Sequence, residues 1–192
     1  SYQIQYTYTN SNGLSSTVTN SYTSSNLSGT LEFTQTTNYN ANGVATSASI
    51  SGTGDIATLN NTAITVASNA TATTKGNTIN GSGNTISVGK NDNITVAAAT
   101  GETSFTDTIN AASSAANFTT DTITFEGESI AGNFSSGSTD KYGRKYILNG
   151  TTLTITYKSD SLTITNFQNG DFGVVINNSQ PGKQDWRYQT GG

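Results

Sequence analysis

Cysteine, histidine and methionine are all absent from this 192-residue chain, which leaves twelve Asp and Glu side chains as its acid–base inventory near neutral pH. Thiol nucleophiles, Ser-His-Asp triads, imidazole-held metals and disulfide scaffolds are thereby excluded. Two-carboxylate chemistry of the glycosidase kind, or coordination of a hard cation such as calcium by oxygen ligands, is what remains. Glu126 and Glu128 are the most closely spaced pair. Two residues apart in an extended segment, they share a face, where they could bind calcium or one could act as an acid raised by its neighbour. The simpler reading is a solvated strand end or a turn beside Gly127. No residue is assigned a catalytic role, and the chain is expected not to be an enzyme.

Aromatic side chains supply a second kind of chemistry. Trp186 and Tyr188, two apart, put both rings on one side of an extended segment and form a candidate stacking platform for a sugar or a subunit; buried, they are the last strand's share of the core. At the other end Tyr2, Ile4, Tyr6 and Tyr8 alternate with Gln3, Gln5, Thr7 and Thr9. An uncharged alternating strand of this kind pairs within its own sheet or completes the sheet of another molecule.

The elements that must position these residues are strands. Thr, Ser, Asn and Gly exceed half of the chain, and β-branched residues far outnumber good helix formers. An all-β fold follows: a mainly antiparallel sandwich or meander with a short solenoid-like middle, in one elongated domain. In residues 1–74 the Tyr2 strand, a strand from Ser16 to Tyr22 and a third from Leu31 and Phe33 are separated by Asn12-Gly13 and Asn42-Gly43 turns. Residues 75–135 carry Asn77-Thr78-Ile79, Asn84-Thr85-Ile86 and Asn93-Ile94-Thr95-Val96, whose spacings suggest successive rungs of a small parallel roll. Ala111 to Ala116 is the one helical candidate, and Asp121 to Phe125 returns to strand. In residues 136–192, Leu153, Ile155 and Tyr157 face Leu162 and Ile164 across a hairpin, and a further strand carries Phe172, Val174 and Ile176 after an Asn169-Gly170 turn with Asp171 as a turn residue.

Gly81-Ser82-Gly83-Asn84-Thr85-Ile86 and Gly89-Lys90-Asn91-Asp92-Asn93-Ile94 resemble worn copies of the nonapeptide of RTX proteins, type I secreted bacterial proteins whose repeats coil into a calcium-binding roll. The first copy lacks the Asp, and the second sets Lys90 beside Asp92, so Asp92 joins Glu126 and Glu128 as a candidate metal ligand while stacking needs no metal. Asp140 to Arg144, Leu153-Thr154-Ile155, Leu162-Thr163-Ile164 and Asn169 to Gly173 resemble a module found beside such repeats. That resemblance implies export and placement at a cell surface, and it carries no catalytic residue.

A net charge of −4 with eight Lys and Arg gives no electrostatic footprint for nucleic acid. No long apolar run suggests a membrane span, and no charged start with an apolar run marks a retained leader, so a removed leader or an export signal elsewhere is expected. The sequence thus favours an extracellular structural subunit that polymerises through sheet edges, with the Tyr2–Tyr8 strand as the contact. Its alternative is an adhesin that binds cell-surface carbohydrate or a host surface, with calcium as a conditional cofactor.

Overall fold

The computed structural model describes residues 1–26, 28–71, 75–112 and 118–177. They form an all-β fold whose strands are β1 (Tyr2–Thr9), β2 (Ser15–Tyr22), β3 (Leu31–Tyr39), β4 (Ala45–Gly52), β5 (Ile56–Thr58), β6 (Ala63–Val66), β7 (Asn77–Asn80), β8 (Thr85–Val88) and β9 (Asn93–Ala97). They continue with β10 (Thr106–Asn110), β11 (Thr122–Phe125), β12 (Glu128–Ser129), β13 (Gly132–Ser135), β14 (Ser138–Thr139), β15 (Lys145–Asn149), β16 (Thr152–Tyr157), β17 (Asp160–Thr165) and β18 (Val174–Asn177). Residues 113–117, which hold most of the helical candidate, lie outside the described residues.

Strands β1 to β4 make an antiparallel meander with Tyr2 opposite Tyr22, Ser21 opposite Phe33 and Gln35 opposite Ile50. Its outer hairpins share one turn chemistry. Asn10 donates its N–H to the Leu14 carbonyl and Asn40 to that of Val44, while Gly13 and Gly43 take the left-handed conformation at φ +83° and +75°. An L side chain is strained there, which is why Asn-Gly marks these turns.

From β4 to β11 the chain alternates between two sheets and builds a flattened parallel roll. One sheet has the order β1-β2-β3-β4-β6-β8-β10-β17-β16-β15-β14, so the meander and the roll share it; the facing sheet runs β12-β11-β9-β7-β5. Parallel register places Ala48, Ile64, Ile86, Ile109 and Ile164 in one row. Ile79, Ile94, Val96, Ile123 and Phe125 oppose them from the second sheet in a single core. Each such side chain contributes about 1.5–3 kcal/mol through removal from water.

Three sequence expectations are corrected here. The Asn77, Asn84 and Asn93 segments are not successive rungs on one face. β7 pairs with β9 in one sheet while β8, between them, pairs with β6 and β10 in the other. A spacing of seven to nine residues is the step across the roll, since the chain must turn a corner between sheets before it can stack on itself. The parallel pairing also starts before residue 75, because β4 already pairs with β6 and β5 with β7. At the C-terminal side, β16 and β17 form the expected hairpin, with Leu153 opposite Ile164 and Ile155 opposite Leu162. Phe172 belongs to a 3-10 turn, Asp171–Gly173, rather than to a strand, and β18 pairs in parallel with β13 in a separate small sheet.

Candidate functional site

The eleven-stranded sheet ends at β1, whose outer backbone edge has no partner strand among the described residues. Edge strands normally carry charge, proline or a bulge against unwanted pairing. None of these protects β1: the first charged residue of the sequence is Glu32, and the only proline is Pro181. Alternation sends Tyr2, Ile4, Tyr6 and Tyr8 to the outer face. Tyr6 and Tyr8 are 44% and 51% exposed, with ring centroids 6.4 Å apart. Tyr2 lies 6.5 Å from Tyr22 and is half-buried by it. The expected assembly strand therefore stands as one element with a free edge and an aromatic face.

The opposite face of the same meander differs. Gln3, Gln5, Thr19, Ser21, Phe33 and Gln35 line a cleft of about 840 Å³, closed at one end by Gly54, Asp55 and Ile56 and by the Glu32–Lys75 ion pair. It exists because the shared sheet overhangs: β5 is the last strand of the facing sheet, while β3, β2 and β1 continue beyond it. The Gln35 amide nitrogen faces Asp55, 2.7 Å from its Oδ2, since an amide oxygen there would meet a carboxylate. The Gln35 oxygen accepts from Thr37 Oγ1 at 2.9 Å. Burial pushes the Asp55 carboxyl up to about 6, against the opposing hydrogen bond from the Ile56 N–H.

The carboxylates singled out by spacing do not converge. Glu126 and Gly127 have φ +58° and +81° and form the turn between β11 and β12, so Glu126 does not share a strand face with Glu128. Glu128 is exposed at the start of β12. Glu126 turns instead to Asp160. Burial, then the hydrogen bond and charge of Asp160, push its pKa up to about 7 against the nearby Arg144 and Lys158 charges. Asp92 precedes β9 at the opposite end of the β9–β11 pair. Both of its oxygens accept hydrogen bonds, from Gly89 N–H at 2.7 Å and from Asn69 Nδ2 at 3.2 Å. Burial, ahead of the Asp121 charge, pushes it up to about 7. Among the described residues no group of three or more acidic side chains is placed to hold a metal ion. Asp171 is a turn residue as expected, accepting from the Gln168 N–H at 2.9 Å. Trp186 and Tyr188 lie outside the described residues.

Sequence reasoning missed a ladder of buried side chains that ties one coil to the next. Asn77 accepts from Asp55 N–H through Oδ1 at 3.0 Å and donates from Nδ2 to the Gly52 carbonyl at 2.9 Å. Asn84 does the same to Thr62 N–H and the Leu59 carbonyl, at 3.1 and 2.8 Å. Each amide thus clasps an N–H and the carbonyl three residues before it. Asp107 and Asp121 take the acceptor half of that position, to Asn84 N–H and Asp92 N–H at 3.0 Å, while their buried second oxygens lack a hydrogen-bond partner. Burial pushes both carboxyls up to about 6. Recurrent Asn and Asp before Thr-Ile or Ile were the available signal.

Arg144 was equally hidden. It is 1% exposed and donates to the Phe125, Glu128 and Ser129 carbonyls at 2.7–2.8 Å and to Asp140 Oδ2 at 2.7 Å. Burial disfavours the Asp140 charge, but the Arg144 and Tyr142 N–H groups and the guanidinium outweigh it and hold the carboxyl below its usual range.

In comparisons with known proteins, no family model, curated protein or solved structure matches the chain. No helix among the described residues is long and apolar enough to cross a membrane.

Proposed function

We propose that this chain is an extracellular structural subunit, joined to other copies through the β1 edge in a surface fibre, sheath or layer. The observation that carries this reading is an eight-residue, uncharged edge strand with exposed Tyr6 and Tyr8 at the end of an eleven-stranded sheet. Backbone N–H and C=O groups supply affinity at such an edge, and alternate side chains supply register. Among the other described sheet ends, β14 and β12 have two residues each, β5 three, and β13 and β18 four. The edge in a second copy that matches β1 in length is β1 itself, which runs antiparallel across a two-fold. A filament then needs a second, heterologous contact. The resemblance to RTX-associated modules supports a cell-surface setting for such an assembly.

Electron microscopy and light scattering of the purified chain test this directly. Ordered polymers or dimers are expected that disperse when Tyr6→Lys places a charge on the edge strand. A chain that stays monomeric at high concentration, or an assembly that survives both Tyr6→Lys and removal of residues 1–9, overturns the assignment.

A further inference from the structure

The overhanging face of the meander has a chemistry the edge contact does not use. Gln5, Thr19 and Gln35 stand in one row across β1, β2 and β3, and the row continues into Ile50 in the roll's core. Were this face made to receive another hydrophobic layer, its apolar row would continue outward. Instead it changes at β3 to amides and hydroxyls. An amide offers paired donors and an acceptor and a carboxylate two acceptors, the groups that match the adjacent hydroxyls of a sugar ring.

The charges narrow the ligand class. Glu32 and Lys75 are paired with each other at the wall, and Asp55 is turned toward Gln35. The wall thus carries no surplus positive charge for a polyanion. Nor does the cleft suit an added peptide strand, because β5 offers an edge of only three residues. A volume of about 840 Å³ lies within the usual range for small-ligand sites. Ile56, 70% exposed, gives the rim an apolar surface for the C–H face of a sugar.

We infer that this cleft binds an uncharged oligosaccharide, with Gln5 and Gln35 as its hydrogen-bonding residues, Asp55 holding the Gln35 amide in place and Ile56 as its apolar contact. Calorimetric titration of the chain with cellotetraose, maltotetraose, chitotetraose and, as an anionic control, tetragalacturonate is the test. Saturable binding of at least one neutral tetrasaccharide is expected with Kd of about 0.1–1 mM. Gln35→Leu should weaken it at least tenfold, and Gln5→Leu, at an exposed position, at least threefold with the unfolding midpoint unchanged. Tyr6→Lys, on the other face, should leave it unaltered. Absence of saturable binding by all three neutral sugars overturns the inference, as do tighter binding of tetragalacturonate and binding that survives Gln5→Leu and Gln35→Leu.

Discussion

The roll and the meander share a sheet but are built on different terms. In the roll every inward row meets a second sheet, so Ile64, Ile86 and Ile109 are almost completely buried and the polar groups between coils are clasped by Asn77 and Asn84. In the meander only β4 lies fully under the facing sheet, with Ala48 and Ile50 in the core, while β3, β2 and β1 run on beyond it. Its inner side is lined with Gln and Thr, and its outer side shows Tyr6 and Tyr8 to solvent. Stability is concentrated where two layers coincide, and surface available for recognition where one layer runs on alone. Breaking either region should therefore have unequal consequences.

The largest loss is expected at the roll's far end, where Arg144 ties the β14–β15 turn to the β11–β12 turn. Arg144→Ala takes the guanidinium donor from the Phe125, Glu128 and Ser129 carbonyls and the paired charge from the Asp140 carboxylate, which keeps its backbone N–H donors. A loss of about 3–5 kcal/mol is expected. Arg144→Lys should recover only part of it, because an ammonium cannot span three carbonyls and a carboxylate as a guanidinium fork does. Denaturant midpoints measure both. A pair of truncations sharpens the contrast: Ile86→Ala, in the central row, should cost about 2–4 kcal/mol, and Val18→Ala, half-buried on β2, about 0.5 kcal/mol. Equal losses at the two sites would dissolve the distinction between the regions.

Much of this division could be read from the sequence, and the reasons for the gaps are physical. Alternation at Tyr2–Tyr8 and the Asn-Gly turns place β1 to β3 correctly, because period and turn chemistry are local. The seven-residue step from Asn77 to Asn84 reads as stacking, since periodicity says nothing of which sheet a strand joins; the Gly81–Gly83 corner decides that. β4 is both the last strand of the meander and the first of the roll, and its Ala48 and Ile50 give no hint of the parallel neighbour on the other side. The turn beside Gly127 is the simpler reading the sequence offers there, and the structure has it, although Glu126 itself takes a positive φ that its residue type does not favour. Its approach to Asp160, like the burial of Arg144, is a product of coiling that no local pattern encodes.

A smaller effect separates the rungs from one another. Asp107 and Asp121 sit where Asn77 and Asn84 donate to a carbonyl three residues back, which in register means Gly81 and Gly89. A neutral carboxyl or an amide can donate there; an ionised carboxylate cannot. Because folding raises the Asp107 pKa from 3.8 to about 6, its favourable contribution is complete below about pH 4 and disappears as the pH rises through 6. Asp55, Asp92 and Asp121 act in the same direction. The unfolding midpoint should therefore fall as the pH rises from about 4 to about 7, in a range where the meander, with its nearly uncharged strands, contributes little. Asp107→Asn should stabilise the chain by about 1–2 kcal/mol at pH 8 and flatten that dependence. Asp92→Asn should instead cost about 1 kcal/mol at the same pH. Both Asp92 oxygens already accept hydrogen bonds, and an amide nitrogen would oppose either Gly89 N–H or Asn69 Nδ2.

The smallest expected change tests the meander's independence. Tyr8→Ser removes an exposed ring whose aromatic contact is with Tyr6 on the same strand, and leaves the β1–β2 register with Ser16 untouched. Monomer stability should shift by no more than about 0.5 kcal/mol. Any association through β1 should weaken far more, since an exposed aromatic contributes mainly when a second surface covers it. Stability and association measured on the same sample separate the two. A loss of stability that matched the loss of association would mean that Tyr8 serves the subunit's own fold, and that the open edge of β1 is a passive end of the sheet.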